Sequence, residues 1–168
     1  MIIKPDNEML SYSGRIDFDD RLAPVLVYAC SSIGMKFTGT SLKAVIANHR
    51  SCWTNELGYF IDGEQKRFTL SSDEEKKTYT LAENLPEGTH ELLLFKRMDS
   101  CHTFTFYGFE IDDGAKVLAL PEKPKRKMEF FGDSVSCGEV SEAVEYAGKP
   151  DPEHDGQYSN SWYSYAWM

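Results

Sequence analysis

The residues with the clearest chemical capacity lie late in the chain, in Phe131-Gly132-Asp133-Ser134-Val135-Ser136-Cys137-Gly138. They follow Met128-Glu129-Phe130-Phe131, a short and mostly apolar run that reads as a strand. Gly132 allows a sharp turn at the strand's C-terminal edge, the side on which open α/β sheets bind ligands. A serine held there presents its hydroxyl to the crevice and its own backbone N–H to a developing oxyanion. Ser134 is therefore the candidate nucleophile. A serine hydroxyl attacks poorly at neutral pH without a base, and general-base help is worth about 10²–10⁴-fold. The four histidines offer little of it. His154, in Asp151-Pro152-Glu153-His154, comes only 20 residues after the serine in a loop punctuated by Pro and Gly, and reads as a solvated loop residue. His49, His90 and His102 fall in or beside strands at no ligand spacing, so neither metal nor cofactor is expected. Cys137 is open to two readings, a reactive thiol or a small buried loop residue. His49, Trp53 and Tyr59 are likewise either part of a sugar-stacking face or sandwich core.

The elements that must position the serine follow two different grammars. From residue 12 to about 119, short strands alternate with turn chemistry. Ser41–Ile46 points Leu42, Ala44 and Ile46 to one face. Tyr59-Phe60-Ile61 runs into Asp62-Gly63, a dipeptide suited to a turn with positive φ at both centres, so a hairpin returning along Arg67–Leu70 is expected. Thr78–Leu81 is extended, Leu85-Pro86-Glu87-Gly88 reads as a turn, and Thr89–Arg97 as a further strand. Thr103–Ile111 carries Phe104 and Phe106 on one face, and a bulge at Gly108 lets Phe109 and Ile111 regain it. Eight to ten such strands predict a mainly β protein, an antiparallel jelly-roll sandwich, over residues 1–120.

Pro121–Lys127, with two prolines and four clustered positive charges, reads as an exposed linker. Residues 128–168 then read as strand, turn, a polar acidic loop over 139–158, an N-cap at Ser159-Asn160-Ser161 and an aromatic helix over Trp162–Met168. That is the opening unit of an α/β sheet, and an incomplete one: a parallel strand is buried on both faces and needs neighbours and covering helices.

Composition narrows the classes. With 41% hydrophobic and 27% charged residues the chain is an ordinary globular sequence, neither disordered nor coiled coil. Eighteen Lys and Arg against 27 Asp and Glu give a formal charge of −9, which opposes nucleic acid and anionic lipid as partners. The longest apolar runs, Val25–Cys30 and Leu92–Phe95, are far short of a membrane span. Met1-Ile2-Ile3-Lys4-Pro5-Asp6 has no apolar signal core, so a cytoplasmic protein is expected, or a secreted one whose signal is removed. Cys30, Cys52, Cys101 and Cys137 lack C-x-x-C spacing and are expected as free thiols.

Met128–Gly138 resembles the first block of SGNH (GDSL-type) hydrolases, especially those of carbohydrate esterase family 2. Lys36–Ser41, Tyr79–Gly88 and the Pro-Lys-Arg-Lys linker are similar to that family's N-terminal jelly roll, so the resemblance spans nearly the whole chain. It implies deacetylation of a plant-type polysaccharide such as xylan or mannan, with Ser134 as nucleophile, its N–H as an oxyanion donor, and Gly132, Asp133 and Gly138 as structural members of the turn. The family's remaining blocks, a glycine and an asparagine of the oxyanion hole and a late histidine base, are not found in this sequence. The expected partners are therefore an acetylated oligo- or polysaccharide and a C-terminal SGNH segment, and the isolated chain is expected to be inactive. The competing expectation is a non-catalytic sandwich that binds glycan or mediates assembly.

Overall fold

The computed structural model describes residues 1–167; Met168, the last residue of the expected aromatic helix, lies outside them. In chain order the strands are β1 (Ile2–Ile3), β2 (Ser11–Ser13), β3 (Ile16–Asp17), β4 (Val25–Leu26), β5 (Ser32–Thr38) and β6 (Leu42–Arg50). There follow β7 (Glu56–Ile61), β8 (Glu64–Thr69), β9 (Lys77–Ala82), β10 (Thr89–Lys96), β11 (His102–Ile111) and β12 (Val117–Leu118). They form two antiparallel sheets. The first runs β3-β4-β11-β6-β9 with β1 also on β11; the second runs β12-β5-β10-β7-β8 with β2 also on β5.

Period-two alternation explains why the sheets close on each other. Leu42, Ala44 and Ile46 of β6 join Phe104, Phe106, Phe109 and Ile111 of β11 on the inner face of the first sheet. They meet Ile33, Met35 and Phe37 of β5, Leu57, Tyr59 and Ile61 of β7, and Leu92 and Leu94 of β10. Each fully buried aliphatic or aromatic side chain contributes about 1.5–3 kcal/mol of transfer free energy.

Two turn features stand where the sequence puts them. Asp62 and Gly63 both have positive φ, 52° and 86°, and close the β7–β8 hairpin. The β6–β11 ladder shifts register between Phe106 and Gly108, which is what returns Phe109 to the core face. A Cβ on Gly108 would strike the Ile3 carbonyl, so the bulge also makes room for β1.

Beyond β12 the structure departs from expectation. Residues 121–127 are exposed. Residues 128–131, however, form no strand: Met128 is 76% exposed and Phe131 81%. A strand needs a hydrogen-bonding neighbour, and neither sheet offers them one. Nor does Trp162–Trp167 form an α-helix. Asn160 does cap the segment, its side-chain oxygen accepting from Trp162 N at 3.1 Å, but only a 3-10 turn over Ser161–Tyr163 follows. Ser164 is extended, with φ −70° and ψ 145°, and its hydroxyl donates to the Ser136 carbonyl at 2.6 Å, a side-chain bond that competes with continued helix. No helix among the described residues is long and apolar enough to cross a membrane.

Candidate active site

Asp133 and Ser134 open a tight turn. Cys137 N–H donates to Asp133 O and Ser134 O at 3.1 Å, Glu139 N–H to Ser134 O at 3.0 Å, and Val135 N–H to Asp133 Oδ1 at 3.1 Å. Asp133 is thus bonded within the turn, and Ser134 stands exposed at its start. Gly132 leaves room for Ser136, whose Oγ a Cβ there would meet. Gly138 has φ +71° where a side chain would run into the Asn160 carbonyl, so glycine is required on two counts.

What holds this turn is the sandwich, through residues 138–167. The outer face of the second sheet carries Phe60, Leu93 and Phe95, and Phe95 lies across its β7 partner Gly58, whose missing side chain makes space for the ring. Trp162 packs on Phe60 and Phe95 with ring centroids at 4.4 and 5.7 Å, and Trp167 on Trp162 at 4.6 Å. Around these rings the contact is polar. Arg97, 2% exposed, donates from Nε to Ser159 O at 3.1 Å and from Nη2 to Glu142 Oε2 at 2.7 Å. Arg67 donates to Gln157 O at 2.8 Å, Ser161 N–H to Arg97 O at 3.0 Å, and Ser161 Oγ to Lys96 O at 2.7 Å. Burial pushes the Glu56 carboxyl up from the usual carboxylate range, against the pull of Arg67 and Arg97 beside it.

Lys96 sits beneath this seam, fully buried. Its ammonium donates to Met98 O at 2.5 Å and to Asp99 O. Burial pushes it down to about 7, with Asp99 and the thiols of Cys137, Cys101 and Cys30 opposing. Burial likewise raises the Cys137 thiol, so of the two readings of this residue the inert one fits its surroundings. All four cysteines are unbridged.

No histidine reaches Ser134, because each is engaged elsewhere. His49 Nε2 faces Thr105 Oγ1 at 3.1 Å. His90 is held between Asp62 Oδ2 and Pro86 O at 2.6 and 2.8 Å, and His102 between Asp99 Oδ1 and Cys52 O at 2.9 and 3.0 Å. His154 is not the solvated loop residue its sequence context suggests. Its side chain is 10% exposed, accepts from Gly156 N–H at 3.2 Å and packs on Trp53 with centroids at 4.7 Å. The loop around it is docked, with Thr54 N–H donating to Asp155 O at 3.0 Å.

His49, Trp53 and Tyr59 do not converge on a sugar-stacking face. Tyr59 is in the core with its hydroxyl donating to Leu81 O at 2.8 Å, and Trp53 packs against His102 as well as His154. Among the described residues no group of three or more His, Cys, Asp or Glu is arranged to hold a metal. Sequence reasoning missed Arg97, Glu142 and Asn160 as supports of the turn. Only Asn160, expected as part of an N-cap, carried a local signal.

Comparison with known proteins bears on both the sandwich and the turn. Residues 12–121 match the family model described as carbohydrate esterase 2 N-terminal. The cellulase/esterase CelE of Acetivibrio thermocellus is 32% identical over 162 residues, 96% of this chain and 19% of its own length. An acetylxylan esterase / glucomannan deacetylase of Cellvibrio japonicus is 44% identical over 57 residues, 33% of this chain and 16% of its own. Among solved structures, a family two carbohydrate esterase from Clostridium thermocellum in complex with cellohexaose superposes with a TM-score of 0.82 at 29% identity, over 94% of this chain and 46% of that one. The chain thus spans about a fifth of the first curated relative and under half of the solved esterase.

Proposed function

The chain belongs to carbohydrate esterase family 2, and from that premise we propose that it is the N-terminal portion of a carbohydrate O-acetyl esterase, with Ser134 as its nucleophile. Residues 1–120 are the supporting sandwich, 121–127 the linker, and 128–168 the first block of the SGNH hydrolase module. The substrate is an acetylated plant oligo- or polysaccharide of the xylan or mannan type. One relative's description as acetylxylan esterase / glucomannan deacetylase supports that class.

The observation that carries this reading is the serine itself: exposed, at the start of a turn closed by bonds from Cys137 and Glu139 N–H to the Asp133 and Ser134 carbonyls, in the sequence context of the family's nucleophile block. In the reaction Ser134 Oγ attacks the acetyl carbonyl carbon while a histidine from the C-terminal segment takes its proton. The Ser134 N–H and donors from that segment hold the oxyanion. Collapse breaks the bond to the sugar oxygen, which takes the proton from the histidine and leaves as a hydroxyl; water, deprotonated by the same histidine, then attacks the acetyl-serine, releasing acetate and returning the proton to Ser134 Oγ. Because all four histidines of this chain are engaged elsewhere, the chain alone lacks the base and is inactive.

A chromogenic acetate ester tests this. The chain alone should show background hydrolysis, and the chain joined to the C-terminal half of the Clostridium thermocellum esterase should turn over until Ser134→Ala abolishes it. Turnover by the chain alone, lost in Ser134→Ala, would overturn the missing-base reading. Saturable binding of xylan or mannan oligosaccharides by a joined protein without turnover would make it a binding module instead.

A further inference from the structure

Ser134 is exposed and its carbonyl bonds only within the turn, yet the turn is tied to sandwich residues through a short set of hydrogen bonds. Asn160 is the node. It is completely buried, and each of its polar groups has a partner. Its amide nitrogen donates to Glu142 Oε1 at 2.7 Å and its side-chain oxygen accepts from Trp162 N–H at 3.1 Å. Its backbone N–H donates to Gly138 O at 3.0 Å, and its carbonyl accepts from Ser141 Oγ at 3.1 Å. Gly138 approaches that carbonyl so closely that no side chain fits, which leaves the turn little freedom to slide.

The other oxygen of Glu142 is held by Arg97 at 2.7 Å, with Arg67 at 3.4 Å. Arg97 follows β10 and donates from Nε and Nη2 to the segment carrying the turn, at Ser159 O and Glu142, while its carbonyl receives Ser161 N–H. A buried guanidinium that served the sandwich alone would need acceptors there. Its nearest sandwich carboxylate, Glu56, stands 3.9 Å from Nε.

Resting on the esterase reading above, we propose that Arg97 is a positioning residue for catalysis, registering the Ser134 turn on the sandwich through Glu142 and Asn160. The β-sandwich is then part of the active-site scaffold and not a separable accessory. Displacing a nucleophile by about 1 Å costs on the order of 10²-fold in rate while leaving substrate contacts elsewhere in place. Loss of register therefore shows in kcat more than in KM.

Two readouts test this. In the joined esterase, Arg97→Gln should lower kcat about 10²-fold with KM changed less than about twofold, and Arg97→Lys, which keeps the charge and one bond to Glu142, should recover part of the loss. In the chain by itself, hydrogen exchange at Cys137, Gly138 and Glu139 should quicken at least about tenfold in Arg97→Gln while β11 stays protected. Should Arg97→Gln fail to fold, Glu142→Gln, which keeps shape and removes charge, carries the same two measurements. Unchanged kcat and unchanged turn exchange in the folded variant would overturn the proposal, as would equal loss in Arg97→Lys and Arg97→Gln. If the joined wild-type protein shows no turnover but the turn still loosens in Arg97→Gln, the registering contact stands and the esterase reading fails.

Discussion

Between its two sheets, and again between the second sheet and residues 138–167, this molecule closes apolar surface by different means. Inside the sandwich, long ladders such as β6–β11 fix the backbone, and the side chains that meet are almost all hydrocarbon. On the outer face of the second sheet there is no ladder at all. Trp162 and Trp167 cover Phe60 and Phe95, and around them stand side chains bonded to backbone groups, a buried ion pair and isolated backbone bonds such as Ser161 N–H to Arg97 O. The first arrangement is over-determined by many equivalent contacts. The second depends on a few particular ones, which is what a segment needs if its geometry, and not its stability, is what matters.

Breaking each seam should therefore have different consequences. The largest effect is expected inside: Phe104→Ala, at a fully buried position, should cost about 3–5 kcal/mol and lower the urea midpoint of the whole chain, tail included. Next comes Trp162→Ala. The indole is only half-buried, so a cost of about 2 kcal/mol is expected, confined to loss of exchange protection at Ser161 and Ser164 with the β6–β11 ladder unchanged. If ladder protection falls in parallel, the two seams are one cooperative unit and the contrast fails.

The smallest effect concerns pH. Burial alone would push the His90 imidazole down, but its bonds to Asp62 and the Pro86 carbonyl outweigh burial and hold it above its ordinary value. Burial would raise the Asp62 carboxyl, but His90 and the Glu91 N–H hold it below its usual range. A raised histidine stabilises the fold fully below about pH 6.5 and loses that contribution as pH rises through the folded value. A depressed carboxylate stabilises above about pH 4 and loses its contribution as pH falls through its own. The advantage of the wild type over Asp62→Asn should therefore peak between those limits, at less than about 1 kcal/mol because Asp62 is half exposed. Urea midpoints at pH 5 and 8 check it, and equal advantages at both would remove the pair from the account.

The same contrast governs what could be read from the sequence. Leu42, Ala44 and Ile46, the Asp62-Gly63 turn and the bulge at Gly108 are legible because alternation and turn chemistry are local. The two-residue strands at Ile2, Ile16, Val25 and Val117 are not, since two residues show no period. Met128–Phe131 has the composition of a strand but no neighbour to pair with, and composition does not report neighbours. At the candidate site, Ser134 and its glycines are marked by a compact run of residues. Arg97 and Glu142 are 45 positions apart and carry no mark, because a buried ion pair is defined only once the chain has folded.

The covering of Phe60 and Phe95 by Trp162 and Trp167 also has a consequence in time. A chain synthesised from its N-terminus completes β10 at Lys96 long before it reaches Trp167. At about 5–20 residues per second, the aromatic face of the second sheet stands open on the ribosome for several seconds before its cover exists. Slow decoding over residues 97–161 would lengthen that interval. The yield of soluble protein should then depend on the pace of synthesis through this stretch, although none of the residues encoded there need change.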